Sequence, residues 1–304
     1  MGLGRPLGTL TLGGPTTAGC PSGFTCNIFT VSVPGISQDA KGVIADWKPT
    51  VPTRGLIVFF SGDNGTSWWG KGSTLLPSFF QSLSNSGFEL VQVAWSLSWL
   101  QAPTGEPLGQ ELLASRSATT IKWIHDNMYT VSSPGLGHCG FCITGNSAGS
   151  SEVAYSLSSY GLSTIVDAAI PTSGPPMAGI EKGCLQVPGY QYAVSNAQLI
   201  DLSYGYSPQV GGGPCVSQDP AFAPVWTENS NDTGGTSYNY PTTRVHIIVG
   251  NQDQDIIKNR ANDYYQVLLA AQQPMLTLQV VPLMSHNIQQ SQDGLNALFA
   301  AITE

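Results

Sequence analysis

Charge is scarce in this chain. Only 10% of its 304 residues are Asp, Glu, Lys or Arg, against roughly 25% in ordinary soluble proteins. Polarity is carried instead by Ser, Thr, Asn, Gln and Gly, the style of extracellular enzymes. Basic residues are scarcer still: 11 Lys and Arg face 19 Asp and Glu, for a formal net charge of −8. Such a surface repels a phosphate backbone, which excludes nucleic acid as the expected partner. Long apolar runs are missing too. No window approaches the roughly 18 uninterrupted apolar residues of a membrane-spanning helix, and MGLGRPLGTLTLGG has neither the basic nor the apolar stretch of a signal peptide. An N-myristoylation signal fails because position 6 is Pro. The expectation is a secreted, extracellular protein in its mature form, without a membrane span. Hydrophobic residues make up 41% of the chain, and its length is near the upper limit for one hydrophobic core. One domain over 1–304, and a monomer, are expected.

Histidine is limited to four positions and cysteine to six. An even cysteine count in a charge-poor chain favours disulfides and an oxidising compartment. Local pairing of Cys20 with Cys26 and of Cys184 with Cys215 is expected. Cys139 and Cys142, in HCGFC, have the C-x-x-C spacing of a redox or zinc pair. Zinc requires a second pair of ligands, and only His138 is adjacent, so a structural disulfide or two buried thiols is the better reading. No metal and no organic cofactor is expected.

Apolar runs bounded by turn residues predict strands near Asn27 to Val33, Gly55 to Ser61, Phe88 to Trp95, Phe141 to Thr144, Ile165 to Pro171, Arg244 to Val249 and Leu276 to Val281. GLIVFF and VHIIV are continuously apolar, as strands of a parallel sheet covered on both faces must be. Helical spacing appears in Leu112 to Met128, Ser150 to Tyr160, Ile256 to Gln272 and Leu295 to Ile302. The alternation predicts an α/β fold: a mostly parallel central sheet flanked by helices. The first strands, with no helix between them, predict an antiparallel edge. Between the strands Ile165 to Pro171 and Arg244 to Val249, about 175–243, the chain is rich in Gly, Pro, Ser, Asn and Tyr. It reads as an irregular insertion stapled by Cys184 and Cys215, either lid-like over a site or a surface decoration.

One short stretch, GNSAG, carries chemistry. Ser147 lies between Gly145 and Gly149 where an apolar strand turns into a helix, the context of a nucleophile elbow. There the serine occupies a strained turn, and the N–H of Ala148, at the helix N-terminus, points to where a negative oxygen would form. A serine nucleophile needs a base, and the base an orienting acid. His125 lies in a helical pattern, His138 beside a cysteine and His246 inside a strand. His286 follows a strand in the polar loop SHNIQQ and is the candidate base. The strand VHIIV runs into GNQDQD, which offers Asp253 as the acid. Asp255 is the alternative, since one of the two can cap the following helix.

The order Ser147, Asp253, His286 and the motifs GNSAG, GNQDQD and MSH resemble the α/β-hydrolase superfamily from about Gly55 to the C-terminus. The resemblance implies an α/β-hydrolase fold and a serine-dependent carboxylic ester hydrolase acting through an acyl-enzyme. It also implies a second oxyanion donor in the loop FSGDNGTSWW, with Gly62 and Asp63 as candidates, although this loop departs from the H-G-G-G pattern of many esterases. Trp68, Trp69, Trp95 and Trp99 are the expected substrate contacts, with the stretch Ser173-Gly174-Pro175-Pro176-Met177 completing the rim. Aromatic residues, disulfides and size are similar to cutinase-like polyester hydrolases. The implied substrate is an apolar, small or polymeric ester, with an aromatic polyester such as poly(ethylene terephthalate) (PET) among the candidates. The elbow departs from the G-H-S-M-G of bacterial cutinases. The same scaffold hosts peptidases and acyltransferases, and a non-catalytic binding protein is the further alternative. Asn64-Gly65-Thr66 and Asn231-Asp232-Thr233 match the N-glycosylation pattern.

Overall fold

A computed structural model describes residues 4–131, 139–207 and 211–304; His138, like Met1 and Gly2, lies outside them. The chain opens with an antiparallel meander, β1 (Thr9–Thr16), β2 (Thr25–Ser32) and β3 (Ala40–Trp47). Then come β4 (Gly55–Phe60), α1 (Leu76–Asn85), β5 (Phe88–Trp95), α2 (Gly109–Leu113), α3 (Ser115–Met128), β6 (Phe141–Asn146), α4 (Ala148–Ser158) and β7 (Ala168–Thr172). The remainder contains α5 (Ile180–Cys184), α6 (Val194–Leu202), α7 (Ala223–Glu228), β8 (Arg244–Gly250), α8 (Asp255–Ala270), β9 (Leu276–Val281) and α9 (Gln292–Thr303).

All the strands join one sheet in the order β1-β2-β3-β5-β4-β6-β7-β8-β9. β3 pairs antiparallel with β5, and every pairing from β5 to β9 is parallel. Burial explains the apolar runs: every residue of β4, β5 and β6 is buried. Successive side chains alternate between the faces. Val58 and Phe60 pack with α3, α4 and α8, whereas Ile57 and Phe59 pack with α1 and α9. Helix α1 buries Leu76, Phe79, Phe80 and Leu83, the three-and-four spacing of an amphipathic helix.

The expected antiparallel edge is present but larger than the sequence pattern indicates, because β1 is almost wholly exposed and interrupted by Gly13, Gly14 and Pro15 at a register shift. The expectation of an irregular segment between β7 and β8 is corrected: it carries α5, α6 and α7. These helices are short, and α6 has no strongly one-sided apolar face, which is why periodicity did not reveal them. Arg260 of α8, fully buried, fastens the segment by donating from Nη1 to the carbonyls of Pro176, Ala178 and Gly179 and from Nη2 to that of Tyr190, with its guanidinium 4.2 Å from the Tyr192 ring centroid.

Three disulfides form, Cys20–Cys26, Cys139–Cys142 and Cys184–Cys215. The last closes a 31-residue separation and the second only 3. A cross-link stabilises mainly by restricting the unfolded chain, so replacing Cys184 and Cys215 together by Ala is expected to cost about 3–4 kcal/mol and the Cys139 and Cys142 pair about 2 kcal/mol. Urea unfolding of the two double variants checks the order, and the reverse order would contradict the loop-length account.

Candidate active site

The parallel strands point their C-terminal ends to one edge, and the loops that leave β4, β6, β8 and β9 all emerge there. Ligands of open α/β sheets bind at that edge. Ser147 follows β6 directly and has φ 53° and ψ −124°, a strained backbone for a residue with a side chain. Its N–H donates to the Thr172 carbonyl at 2.9 Å, and its own carbonyl accepts from Ser150 N–H at 2.8 Å and from the Ser150 hydroxyl. Thr172 Oγ1 secures the strand end behind it by donating to the Gly145 carbonyl at 3.1 Å. The flanking glycines serve close approach. A Cβ on Gly145 would lie 2.2 Å from the Gly149 carbonyl oxygen, and one on Gly149 would lie 2.5 Å from that of Phe60. Helix α4 can therefore start directly over the end of β4.

The loop after β4 reaches the same place. A Cβ on Gly62 would meet the Ser147 Cβ at 3.1 Å, and Asp63 adopts φ 53°. Across the site, His286 Nδ1 lies 3.0 Å from Asp253 Oδ1 and 3.2 Å from Oδ2. The Asp253 side chain is fully buried, and that of His286 is 30% exposed. Their loops pair through the backbone: Gln252 N–H donates to the Met284 carbonyl at 3.0 Å, and Asn251 N–H to that of Val281. Asp255 is elsewhere. It is exposed in the first turn of α8 and bonded to Lys258 at 2.9 Å, which holds its carboxyl below the usual range.

Ser147, His286 and Asp63 line two cavities that meet at the serine. One, of about 250 Å³, is mainly polar and reaches Gly62, Asn146, Trp68 and Gln289. The other, of about 230 Å³, is more apolar; Ala148, Met177, Leu199, Ile200, Ile256 and Ile257 line it. Of the expected rim stretch Ser173 to Met177, only Pro176 and Met177 line this cavity. Leu199 and Ile200 of α6, and Ile256 and Ile257 of α8, escape sequence reasoning because only the tertiary fold brings these helices over the serine.

Several expected substrate contacts do not face the cleft. Trp95 and Trp99 are 2% and 0% exposed. Trp95 packs edge-on to Phe29, and both indoles would be met by any Cβ on Gly65, so they support the loop after β4 from behind. Trp69 is buried among Phe59, Phe79 and Phe80. Ser173 is buried as well. Of the four tryptophans, Trp68 alone borders the cleft. Large aromatic rings favour burial wherever packing permits. Burial also bears on one glycosylation match, since Asn231 is fully buried and the folded chain offers it to no glycan-transferring enzyme.

Behind the site, Glu152 of α4 is fully buried, accepts from Trp95 Nε1 at 3.1 Å and from the Ser117 hydroxyl, and has no cationic partner within salt-bridge distance among the described residues. Burial raises its pKa from 4.5 to about 8.

No family model and no curated protein matches the sequence. Solved structures do resemble it. Carboxyl esterase 2 from the mycorrhizal fungus Tuber melanosporum superposes with a TM-score of 0.54 at 15% identity, over 92% of this chain and 86% of that one. Est1E from Butyrivibrio proteoclasticus gives 0.53 at 13%, over 92% and 96%. A hyperthermophilic esterase from the archaeon Pyrobaculum calidifontis gives 0.50 at 14%, over 91% and 82%. At these identities the likeness concerns the fold, which is the α/β-hydrolase fold.

Glu152 generates a pH prediction. The folded protein keeps a proton that the unfolded chain releases above about pH 4.5, so this contribution to stability is complete below that pH and is lost as pH rises through about 8. Asp46, raised to about 7 by burial and then by the neighbouring Glu89 charge, acts in the same direction. The melting temperature of the wild type is expected to fall from pH 5 to pH 9, and that of Glu152→Gln to fall less. Equal slopes would mean that Glu152 is not protonated in the fold.

Proposed function

We propose that the protein is a serine-dependent carboxylic ester hydrolase. The observation that carries this reading is one cleft shared by a serine on a strained strand-to-helix turn and a histidine whose Nδ1 is held by a buried carboxylate. With Nδ1 engaged by Asp253, Nε2 is the free ring nitrogen. It takes the Ser147 proton as Oγ attacks the ester carbonyl, and Asp253 stabilises the imidazolium that results. The tetrahedral oxyanion is received by the Ala148 N–H and by an N–H of the Gly62 to Asp63 turn, each donor contributing about 3 kcal/mol to lowering the barrier. The imidazolium gives its proton to the leaving alcohol, and water repeats the cycle on the acyl-enzyme. No step calls for a cofactor.

The cavity under Met177, Leu199 and Ile200, apolar on that side, fits an apolar group next to the scissile bond. The part of the 175–243 segment from Pro176 to Ile200 then acts as a wall over the serine, held by Arg260. Secretion accords with the three disulfides and the low charge. An apolar or polymeric ester, including an aromatic polyester, accords with the open cleft.

Hydrolysis of p-nitrophenyl esters from C2 to C16 tests the reading. Ser147→Ala is expected to lower kcat by at least about 10⁴-fold, and Asp253→Asn by about 10⁴-fold through the wrong imidazole tautomer. Asp255→Asn should leave kcat within about twofold, because its carboxylate is solvated and remote from the imidazole. Equal inactivity of wild type and Ser147→Ala, with no labelling by a fluorophosphonate, would move a non-catalytic binding protein to the front.

A further inference from the structure

The cleft that contains Ser147 has a neighbour across Trp68. Trp68, Gly70 and Lys71 line it on one side and, on the other, line a second cavity of about 550 Å³. The far walls of that second space are Phe24, from the loop closed by Cys20–Cys26, Trp47 at the end of β3, and Phe80 of α1. Phe24 meets the Trp47 and Phe80 rings edge-on, with centroids at 5.3 Å and 5.7 Å. The indole N–H of Trp68 donates to the Gly19 carbonyl at 2.7 Å, tying the loop after β4 to the disulfide loop and fixing the shared wall. The volume is in the range of ligand sites, and its walls are mainly apolar and aromatic, whereas the cleft on the serine side is mainly polar.

The shared lining sets the two spaces side by side, so a molecule whose ester lies at Ser147 and that extends over Trp68 arrives in the second one. It then meets polar surroundings first and aromatic ones next. A short ester cannot reach, and a plain hydrocarbon chain gains nothing from the polar stretch. A chain that alternates ester groups with rings matches the sequence of environments, and flat rings fit the edge-on aromatic wall. We propose that the groove bounded by Phe24, Trp47, Trp68 and Phe80 is a distal subsite for the neighbouring ring-bearing repeat of an extended ester. The chain is thereby adapted to oligomeric or polymeric substrates. This inference rests on the esterase reading and adds to it a second binding site, away from the serine.

The test uses Phe24→Ala, which removes one wall, and Gln81→Trp, which fills the groove from an exposed position on its lining. Both are compared with wild type on p-nitrophenyl acetate, on the C16 p-nitrophenyl ester and on a soluble oligoester of two terephthalate units. Loss of a wall or of space is expected to lower kcat/KM for the oligoester about tenfold, mainly through KM. The acetate ester is expected to change by no more than about twofold. Unchanged oligoester kinetics in both variants would overturn the subsite, as would a loss confined to a C16 ester, which would assign the groove to a fatty chain. If wild type cleaves neither ester, the esterase reading fails separately. Quenching of tryptophan fluorescence by the oligoester then decides: saturable binding weakened in both variants supports the subsite, and its absence or indifference to them overturns it.

Discussion

The edge of the sheet that holds the candidate site depends on one close approach, that of helix α4 to the end of strand β4. Gly149 has no Cβ, and one would come within 2.6 Å of both the Phe60 and the Ser61 carbonyl oxygens. Because the helix can sit that close, its first N–H groups open beside the loop that carries Gly62 and Asp63. The chain between β6 and α4 must then turn within a single residue, and that residue is Ser147. Strain of this kind costs about 1–3 kcal/mol and persists only where the surroundings over-determine it. Here they do, through Thr172, Ser150 and the fully buried β6 and α4 on either side.

The other half of the site is assembled by an analogous contact. A Cβ on Gly250 would lie 2.0 Å from the Met284 carbonyl oxygen, so the loops after β8 and β9 can lie against each other and exchange backbone hydrogen bonds. That pairing sets the distance between Asp253 and His286 without any need for the side chains to find one another. Asp253 also accepts from the Gln254 N–H at 2.8 Å, which limits its rotation. Main-chain packing therefore brings the two half-sites together, and side chains such as Arg260 and Glu152 act on how the surrounding walls are held.

How much of this was legible in the sequence follows from what each element buries. β4, β5, β6 and β8 announce themselves as apolar runs because both faces of the central strands are covered. β1 has one buried residue in eight and left no such signal. α1 carried its signal in Leu76, Phe79, Phe80 and Leu83, but frequent serines between them and Pro77 in its first turn obscured it. At the site, Ser147, Asp253 and His286 were readable because each follows a strand end, and chain order tells which edge they share. The tryptophans were not, since four rings near one loop give no indication of which face the core. Only packing distinguishes Trp68, tethered at the surface to Gly19, from Trp99, enclosed on every side.

Two aspartates two residues apart show why placement outweighs residue type. Asp253 and Asp255 leave the same strand on the same short loop, and either could be drawn toward an imidazole in an extended chain. The turn after Gly250 points one inward, where its side chain is fully shielded and both oxygens face His286 Nδ1. It delivers the other to the first turn of α8, 86% exposed, where Lys258 and the helix N-terminus satisfy it. A carboxylate shielded from water exerts its field on the imidazole at low effective dielectric, whereas the field of one in solvent is weakened by the high dielectric of water and by salt. In the proposed chemistry the inward carboxylate alone can stabilise a transient positive charge on His286, and the outward one stabilises the helix that carries Ile256 and Ile257 to the cavity wall.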